Sequence, residues 1–199
     1  MTLLEEIPSE TFHEASIPVL ETERLTLRAP RLADAKTVAT LASDRRIAEN
    51  TARIPHPYKL ADAEGFITGA NQAGGECVYL ITKRNGAVIG ACGIMTQDDA
   101  PELGYWLGVE HWGKGYATET LHALVDYAFT DLKHAALHAG ARVTNPASRR
   151  VLEKCGFQWT GVGLYRIKSI RSSAPIDRFR LERGIWSALK GWGKAKNAS

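Results

Sequence analysis

Residues 102–118 read ELGYWLGVEHWGKGYAT, and this stretch decides the fold. Leu103, Tyr105 and Leu107 alternate with other residues, which predicts a strand, and Gly104 and Gly108 mark bulging or a close approach of backbone. A helix follows, because Ala117, Leu121, Leu124, Val125, Ala128 and Leu132 recur at helical intervals while Glu119, His122 and Asp126 fall off that stripe. Between strand and helix, Trp112-Gly113-Lys114-Gly115-Tyr116-Ala117 puts small residues where backbone must come close to a ligand. The first amides of a helix have no intrahelical partner, so this junction suits an anionic phosphate.

Outward from this junction, the chain alternates strands and helices. RLTLRAP at 24–30 predicts a strand ended by Pro30, and Leu32, Ala35, Val38, Ala39, Leu41 and Ala42 have helical spacing. Residues 44–51 continue as a second short helix, and the proline-bearing loop IPHPYK leads to a helix over 61–72. Gly74-Gly75 opens a strand at 76–84, and Asn85-Gly86 turns it tightly into a strand at 87–95. After the central strand and helix come a strand at 135–142, a helix from 146, and strands at 157–165 and 176–183. This is a mixed α/β order.

A chain of 199 residues with 44% apolar content buries one sizeable core, so a single domain is expected. No apolar run approaches the roughly 18 to 20 residues of a membrane span, and the acidic start MTLLEEIPSE lacks the pattern of a signal peptide; a cytoplasmic protein is expected, with no membrane partner. Cys77, Cys92 and Cys155 are odd in number and widely spaced, and the histidines form no cluster at ligand spacing, so reduced thiols and no metal are expected. Residues 142–199 carry thirteen basic and three acidic side chains, against six glutamates and no Lys or Arg in residues 1–23. Those basic residues alternate with apolar ones, which favours a solvated face over direct nucleic-acid binding, and a multiply phosphorylated cofactor would also favour them.

Two known phosphate loops come close to the central junction. Gly108 to Gly115 reads G-x-x-x-x-G-K-G, one residue short of a Walker loop: Gly115 stands where a hydroxyl should hold magnesium. The other is the pyrophosphate loop of the GNAT N-acetyltransferase superfamily: glutamine or arginine, two residues, glycine, one residue, then glycine or alanine. Gly115-Tyr116-Ala117 fits its second half, and Trp112 replaces the leading Gln or Arg, which removes a polar side chain but not the amides. The string WGKGYATE resembles the RimJ/RimL-like branch of that superfamily, and Asn145 to Phe157, NPASRRVLEKCGF, resembles the same branch's N-x-x-S-x-x-x-x-x-K-x-G-F element. Physically the second segment is also a capped helix, with Asn145 as N-cap, Pro146 in the first turn and Gly156 ending it. ETERLTLR at 21–28 and IPHPY at 54–58 extend the resemblance over residues 21–186, leaving a polar extension at 1–20 and a tail at 187–199.

The resemblance implies an α/β (α+β) fold of the GNAT type: a mixed, mostly antiparallel sheet of about six to seven strands flanked by about four helices and splayed at the cofactor site. It implies acetyl-CoA as cosubstrate, with its diphosphate on Trp112, Gly113, Lys114, Gly115, Tyr116, Ala117 and Thr118. It also implies a pantetheine arm along the open edge of the central strand, paired by Leu107 and Val109 and approached by Asn145. Arg149 is favoured over Arg150 for the phosphates, although either could simply cover the surface. Lys114 could equally point to solvent and Tyr116 pack on the core.

Acetyl transfer from a thioester needs a neutral amine, a donor for the developing oxyanion and a proton for the departing thiolate. An α-amine with pKa about 7.7 to 8.0 is roughly 10 to 20 percent neutral at pH 7, whereas a lysine near 10.4 is about 0.04 percent neutral. An α-amine therefore needs less help from a strong base, and a water-linked carboxylate or backbone carbonyl can suffice. Glu102, at the head of the central strand, is the candidate base, with a solvated strand-end charge as the plain alternative. Ser148 matches the family position whose hydroxyl protonates the sulfur, with a local backbone partner as its alternative. The expected activity is acetylation of a primary amine in a ternary complex, foremost a protein N-terminal α-amine. The alternatives are a small-molecule amine (amino acid, polyamine or antibiotic) or a non-catalytic acyl-CoA-binding module. The resemblance also admits a homodimer.

Overall fold

The computed structural model describes residues 17–72, 77–97 and 100–196; the expected extension up to residue 16, the Gly74-Gly75 opening and the last three residues lie outside them. Strands β1 (Leu20–Glu21) and β2 (Leu25–Arg28) come first, then a one-turn helix at Leu32–Asp34 and helices α1 (Ala35–Ala42), α2 (Arg45–Ala48) and α3 (Leu60–Gln72). Next are β3 (Cys77–Lys83), β4 (Val88–Gln97) and β5 (Ala100–Leu107), a turn of helix at Val109–His111, and α4 (Tyr116–Thr130). The remainder is β6 (Ala136–Arg142), α5 (Pro146–Lys154), β7 (Gln158–Ile167), β8 (Ser172–Glu182) and α6 (Arg183–Lys196).

The strands form one sheet in the order β1-β2-β3-β4-β5-β6-β8-β7, antiparallel throughout except between β5 and β6. The GNAT-type architecture expected from sequence is what the chain adopts, with eight strands and six helices among the described residues where fewer were expected. The additional strand is the two-residue β1, and α6 is an additional helix. Its sequence, RGIWSALKGWGKAK, includes three glycines, which weaken helical propensity. Packing supplies what propensity lacks, since Ile185 and Trp186 lie against the main core and the Trp186 indole donates to Asp126 Oδ1 at 2.8 Å.

The parallel pairing is what opens the site. β4 runs beside β5 from Gly90 and Leu107 to Gln97 and Ala100, but β5 meets β6 only at Glu102 with His138 and Leu103 with Ala139. Beyond Leu103 the two strands part, and β6 stays with β8 through Arg142. The period of two along each strand then sorts side chains. Leu103 and Leu107 join Leu137, Ala139 and Ala141 in the core beneath α4, with Tyr105 packed against it. On the opposite face Trp106 packs against the core of α1 and α3, built on Val38, Ile67 and Leu80.

Helix α4 buries Leu121, Leu124, Val125 and Ala128, the stripe read from sequence, together with Phe129 and Thr120. Complete burial of four such aliphatic and aromatic side chains contributes about 1.5 to 3 kcal/mol each. The hairpin turn between β3 and β4 forms at Asn85-Gly86, with Gly86 at φ +85° and its amide donating to Lys83 O at 2.9 Å.

Candidate active site

Where β5 leaves β6 a cavity of about 890 Å³ opens through the sheet, bounded by α3, the 50–55 loop, the start of α4 and the start of α5. It is lined by Glu102, Tyr105, Leu107, Trp112, Gly113, Gly115, Tyr116, Ala117, Thr118, Asn145 and Ser148. Two motifs whose first residues, Trp112 and Asn145, lie 33 positions apart in the chain thus face one space. Of the remaining sequence candidates, Val109 belongs to the one-turn helix and not to the strand, Lys114 turns its ammonium to Glu110 O at 2.7 Å, and Arg149 pairs with Glu153 and Asp177. Arg150 and Lys154 line the cavity from the same helix as Arg149.

The loop before α4 is shaped by two glycines in the left-handed region, Gly113 at φ +72° and Gly115 at φ +81°. A side chain at either position would be strained by about 1 to 2 kcal/mol. Gly115 acts as N-cap with no side-chain cap, and the first hydrogen bond of α4 is Glu119 N to Gly115 O at 3.1 Å. The amides of Tyr116, Ala117 and Thr118 therefore precede intrahelical bonding and point toward the cavity end of the helix. Such a terminus accepts an anion without rearrangement.

Side chains on both sides brace this loop: Trp112, already singled out in the sequence, and Arg24, which was not. The Trp112 indole donates to Leu107 O at 2.8 Å, tying the loop to the end of β5. On the outer side Arg24 donates to Lys114 O at 3.0 Å and lies 4.7 Å from the Tyr116 ring centre. Its Nε reaches Glu119 Oε2 at 2.6 Å, and Thr22 Oγ1 donates to Glu119 Oε1 at 2.6 Å. Burial pushes the Glu119 carboxyl up, but the bonds from Thr22 and Arg24 outweigh it and hold the group below the usual glutamate range.

Asn145 caps α5, its Oδ1 accepting from Ser148 N at 3.1 Å, with Pro146 in the first turn. This places the Ser148 hydroxyl 2.9 Å from the Tyr105 phenol across the gap. Burial pushes the Tyr105 phenol up to about 12, so it stays protonated and can donate to Ser148. In sequence Tyr105 counted only as an alternating strand residue, and nothing local signals its partner. Glu102 lies on the other face of β5, over Gly140 of β6, where an added Cβ would stand 3.8 Å from its Oε1. His111 lines the same cavity with its Nδ1 buried and unpartnered, and burial lowers its pKa, which keeps the imidazole neutral at pH 7.

The arrangement provides an anion seat, a hydroxyl pair on one face of the splay and a carboxylate on the other. No group of three or more His, Cys, Asp or Glu able to hold a metal occurs among the described residues, and no described helix is long and apolar enough to cross a membrane. Cys77, Cys92 and Cys155 are free and buried, and burial raises all three thiols, which leaves them unreactive.

Comparison with known proteins agrees with this geometry. The acetyltransferase (GNAT) domain family matches residues 24–158. The uncharacterized N-acetyltransferase p20 of Bacillus licheniformis is 34% identical over 149 residues, covering 72% of this chain and 84% of that protein. Among solved structures, the microcin C7 self-immunity acetyltransferase MccE, in complex with acetyl-CoA and AMP, superposes with a TM-score of 0.69 at 20% identity over 81% of this chain and 93% of its own. The spermidine N-acetyltransferase of Vibrio cholerae, in complex with CoA and spermine, gives 0.69 at 23% identity over 83% and 99%. At these identities the two structures speak for the fold alone.

Proposed function

We propose that this chain, which belongs to the GNAT acetyltransferase family and is an acetyl-CoA-dependent N-acetyltransferase, acts on α-amines, with protein N-termini foremost among its acceptors. The WGKGYATE and NPAS strings support a place in the RimJ/RimL-like branch. The observation that carries the reading is that the helix-start amides, the Ser148 and Tyr105 pair and Glu102 all face one cavity at the point where the sheet splays.

In this reading the amides from Gly113 to Thr118 hold the diphosphate, the side chains of Arg150 and Lys154 add positive charge beside it, and Trp112 fixes the loop by its bond to Leu107 O. That bond occupies one lone pair of the Leu107 carbonyl, leaving the other for the pantetheine arm. Asn145 holds the start of α5 so that Ser148 faces the sulfur. Glu102, directly or through a water, takes one proton from the incoming ammonium, and the neutral nitrogen attacks the thioester carbonyl. As the new C–N bond forms and the C–S bond breaks, Ser148 gives its proton to the thiolate and Tyr105 hands its own to Ser148, to be replaced from solvent. The nitrogen's second proton passes to solvent with collapse to the amide, and Glu102 returns its proton to solvent as the products leave.

A single experiment tests the acceptor and the acid together. Thiol release is followed at pH 7 with acetyl-CoA and two peptides, one with a free N-terminus and one blocked there with a free lysine side chain. Faster turnover of the free N-terminus is expected, by at least about tenfold given the difference in neutral amine. Ser148→Ala is expected to lower kcat about 10- to 100-fold. Faster turnover of the lysine peptide would overturn the α-amine assignment, and an undiminished kcat would remove Ser148 as acid.

A further inference from the structure

The acceptor end of the cavity has a charge pattern of its own. On β6, Gly140 and Arg142 point to the face that carries Glu102. Arg142 Nη1 donates to Glu49 O at 2.7 Å, which ties the strand to the loop after α2. Its Nε is buried and has no hydrogen-bond partner, although the side chain lines the cavity. With Nη1 occupied, what remains is the Nε and Nη2 edge, the edge that meets a carboxylate or phosphate side-on with two parallel bonds. A desolvated donor without a partner is a cost to the fold that an anion would remove.

Two further cations flank this position. Arg53 Nη1 lies 3.1 Å from Met95 Sδ, and Met95 is the cross-strand neighbour of Glu102. Lys168 is joined to the same loop through its amide, which donates to Ala52 O at 3.0 Å. Both line the cavity. Against these three cations, the carboxylates lining the cavity among the described residues are Glu102 and Asp62, and Asp62 Oδ2 accepts from Lys59 N at 2.7 Å at the start of α3. A polyamine would bring surplus positive charge into a site already weighted positive, whereas an amine with an adjacent anion would match Glu102 at one end and Arg142 at the other.

We infer that the acceptor is an α-amine carrying a carboxylate within a few bonds of the reactive nitrogen, and that Arg142 seats that anion. The inference rests on the acetyltransferase reading above and deepens it. The anion can be a free amino acid's own carboxylate or the acidic side chain of an N-terminal peptide residue, and these sources differ in one respect that can be measured.

The test uses the full chain with acetyl-CoA, following thiol release across matched acceptors: alanine and serine against their α-amides, peptides beginning with Asp or Glu against the same peptides beginning with Asn or Gln, and spermidine. Anion-bearing acceptors are expected to show kcat/KM about ten- to a hundredfold above their neutral partners, mostly through KM. A preference confined to α-carboxylates identifies free amino acids, and one confined to acidic side chains identifies peptide N-termini. Arg142→Met is expected to collapse that ratio toward unity, with Arg142→Lys restoring part of it. The wild-type comparison stands if a variant fails to fold. Equal rates within every pair, or spermidine as the best acceptor, would overturn the inference and leave the acetyltransferase reading intact. No thiol release from any amine would overturn both.

Discussion

Ser148 and Glu102 line the cavity from opposite faces of the same splay, and the role proposed for each has one measurable consequence. The Ser148 hydroxyl is held by the Asn145 cap behind it and the Tyr105 phenol in front, so its direction is set by folding before any substrate arrives. In the proposed mechanism Glu102 has the simpler task of removing one proton from an amine, and its value depends on how protonated that amine is. With an α-amine pKa of about 7.7 to 8.0, only about 3 to 6 percent is neutral at pH 6.5, while most is neutral at pH 8.5. Glu102→Gln should therefore slow transfer about tenfold at pH 6.5 and far less at pH 8.5, as read from kcat/KM for a peptide acceptor. A pH profile parallel to that of the wild type would remove Glu102 as base. At this scale the sequence offered Ser148 as a candidate through motif position, because Asn-Pro at a helix start is a local signal, and Glu102 through its place at the head of the central strand. It was silent on Tyr105 and Arg142, whose roles depend on α5 and the 48–53 loop arriving from elsewhere in the chain.

At the scale of elements, the loop before α4 is held from outside by the turn between β1 and β2. Glu119, in the first turn of α4, accepts from Thr22 Oγ1, Arg24 N and Arg24 Nε, so this one carboxylate joins helix, strand and loop. Because its folded pKa is depressed, the stability it contributes is present above its unfolded pKa of about 4.3 and is lost as pH falls through the folded value. Glu119→Gln should cost about 1 to 2 kcal/mol at pH 7, at the modest end for charged hydrogen bonds since Arg24 is half exposed. In thermal melts from pH 7 to pH 3, the gap to the wild type should narrow below about pH 4. A gap of constant width would show that packing, not ionic hydrogen bonding, holds the loop. Elements with a strong period or a strong turn were legible: α4 through its apolar stripe, the β3 and β4 hairpin through Asn85-Gly86. Helix α6 was not, because its glycines mask the pattern and its partners, Phe129 and Asp126, are distant in sequence.

For the whole molecule, the decisive feature is a sheet held together along its length except at one seam. Parallel pairing limited to Glu102 and Leu103 leaves the lower half of β5 joined to β4 alone, and α4 and α5 both present their N-terminal ends to that opening. Alternating α/β order was legible in the chain, and so was the strand, glycine loop and helix of 102–118. The seam was not, since a strand that parts from its neighbour carries the same residues as one that does not; resemblance alone suggested it. The account's central claim is that the amides around Trp112 to Thr118 grip a diphosphate. Calorimetric titration with acetyl-CoA and with S-acetylpantetheine, which has the thioester arm and lacks the diphosphate, tests this most directly. Acetyl-CoA should bind at least about a hundredfold more tightly, a difference of roughly 2.7 kcal/mol. Equal affinities, or no heat from acetyl-CoA at all, would contradict it.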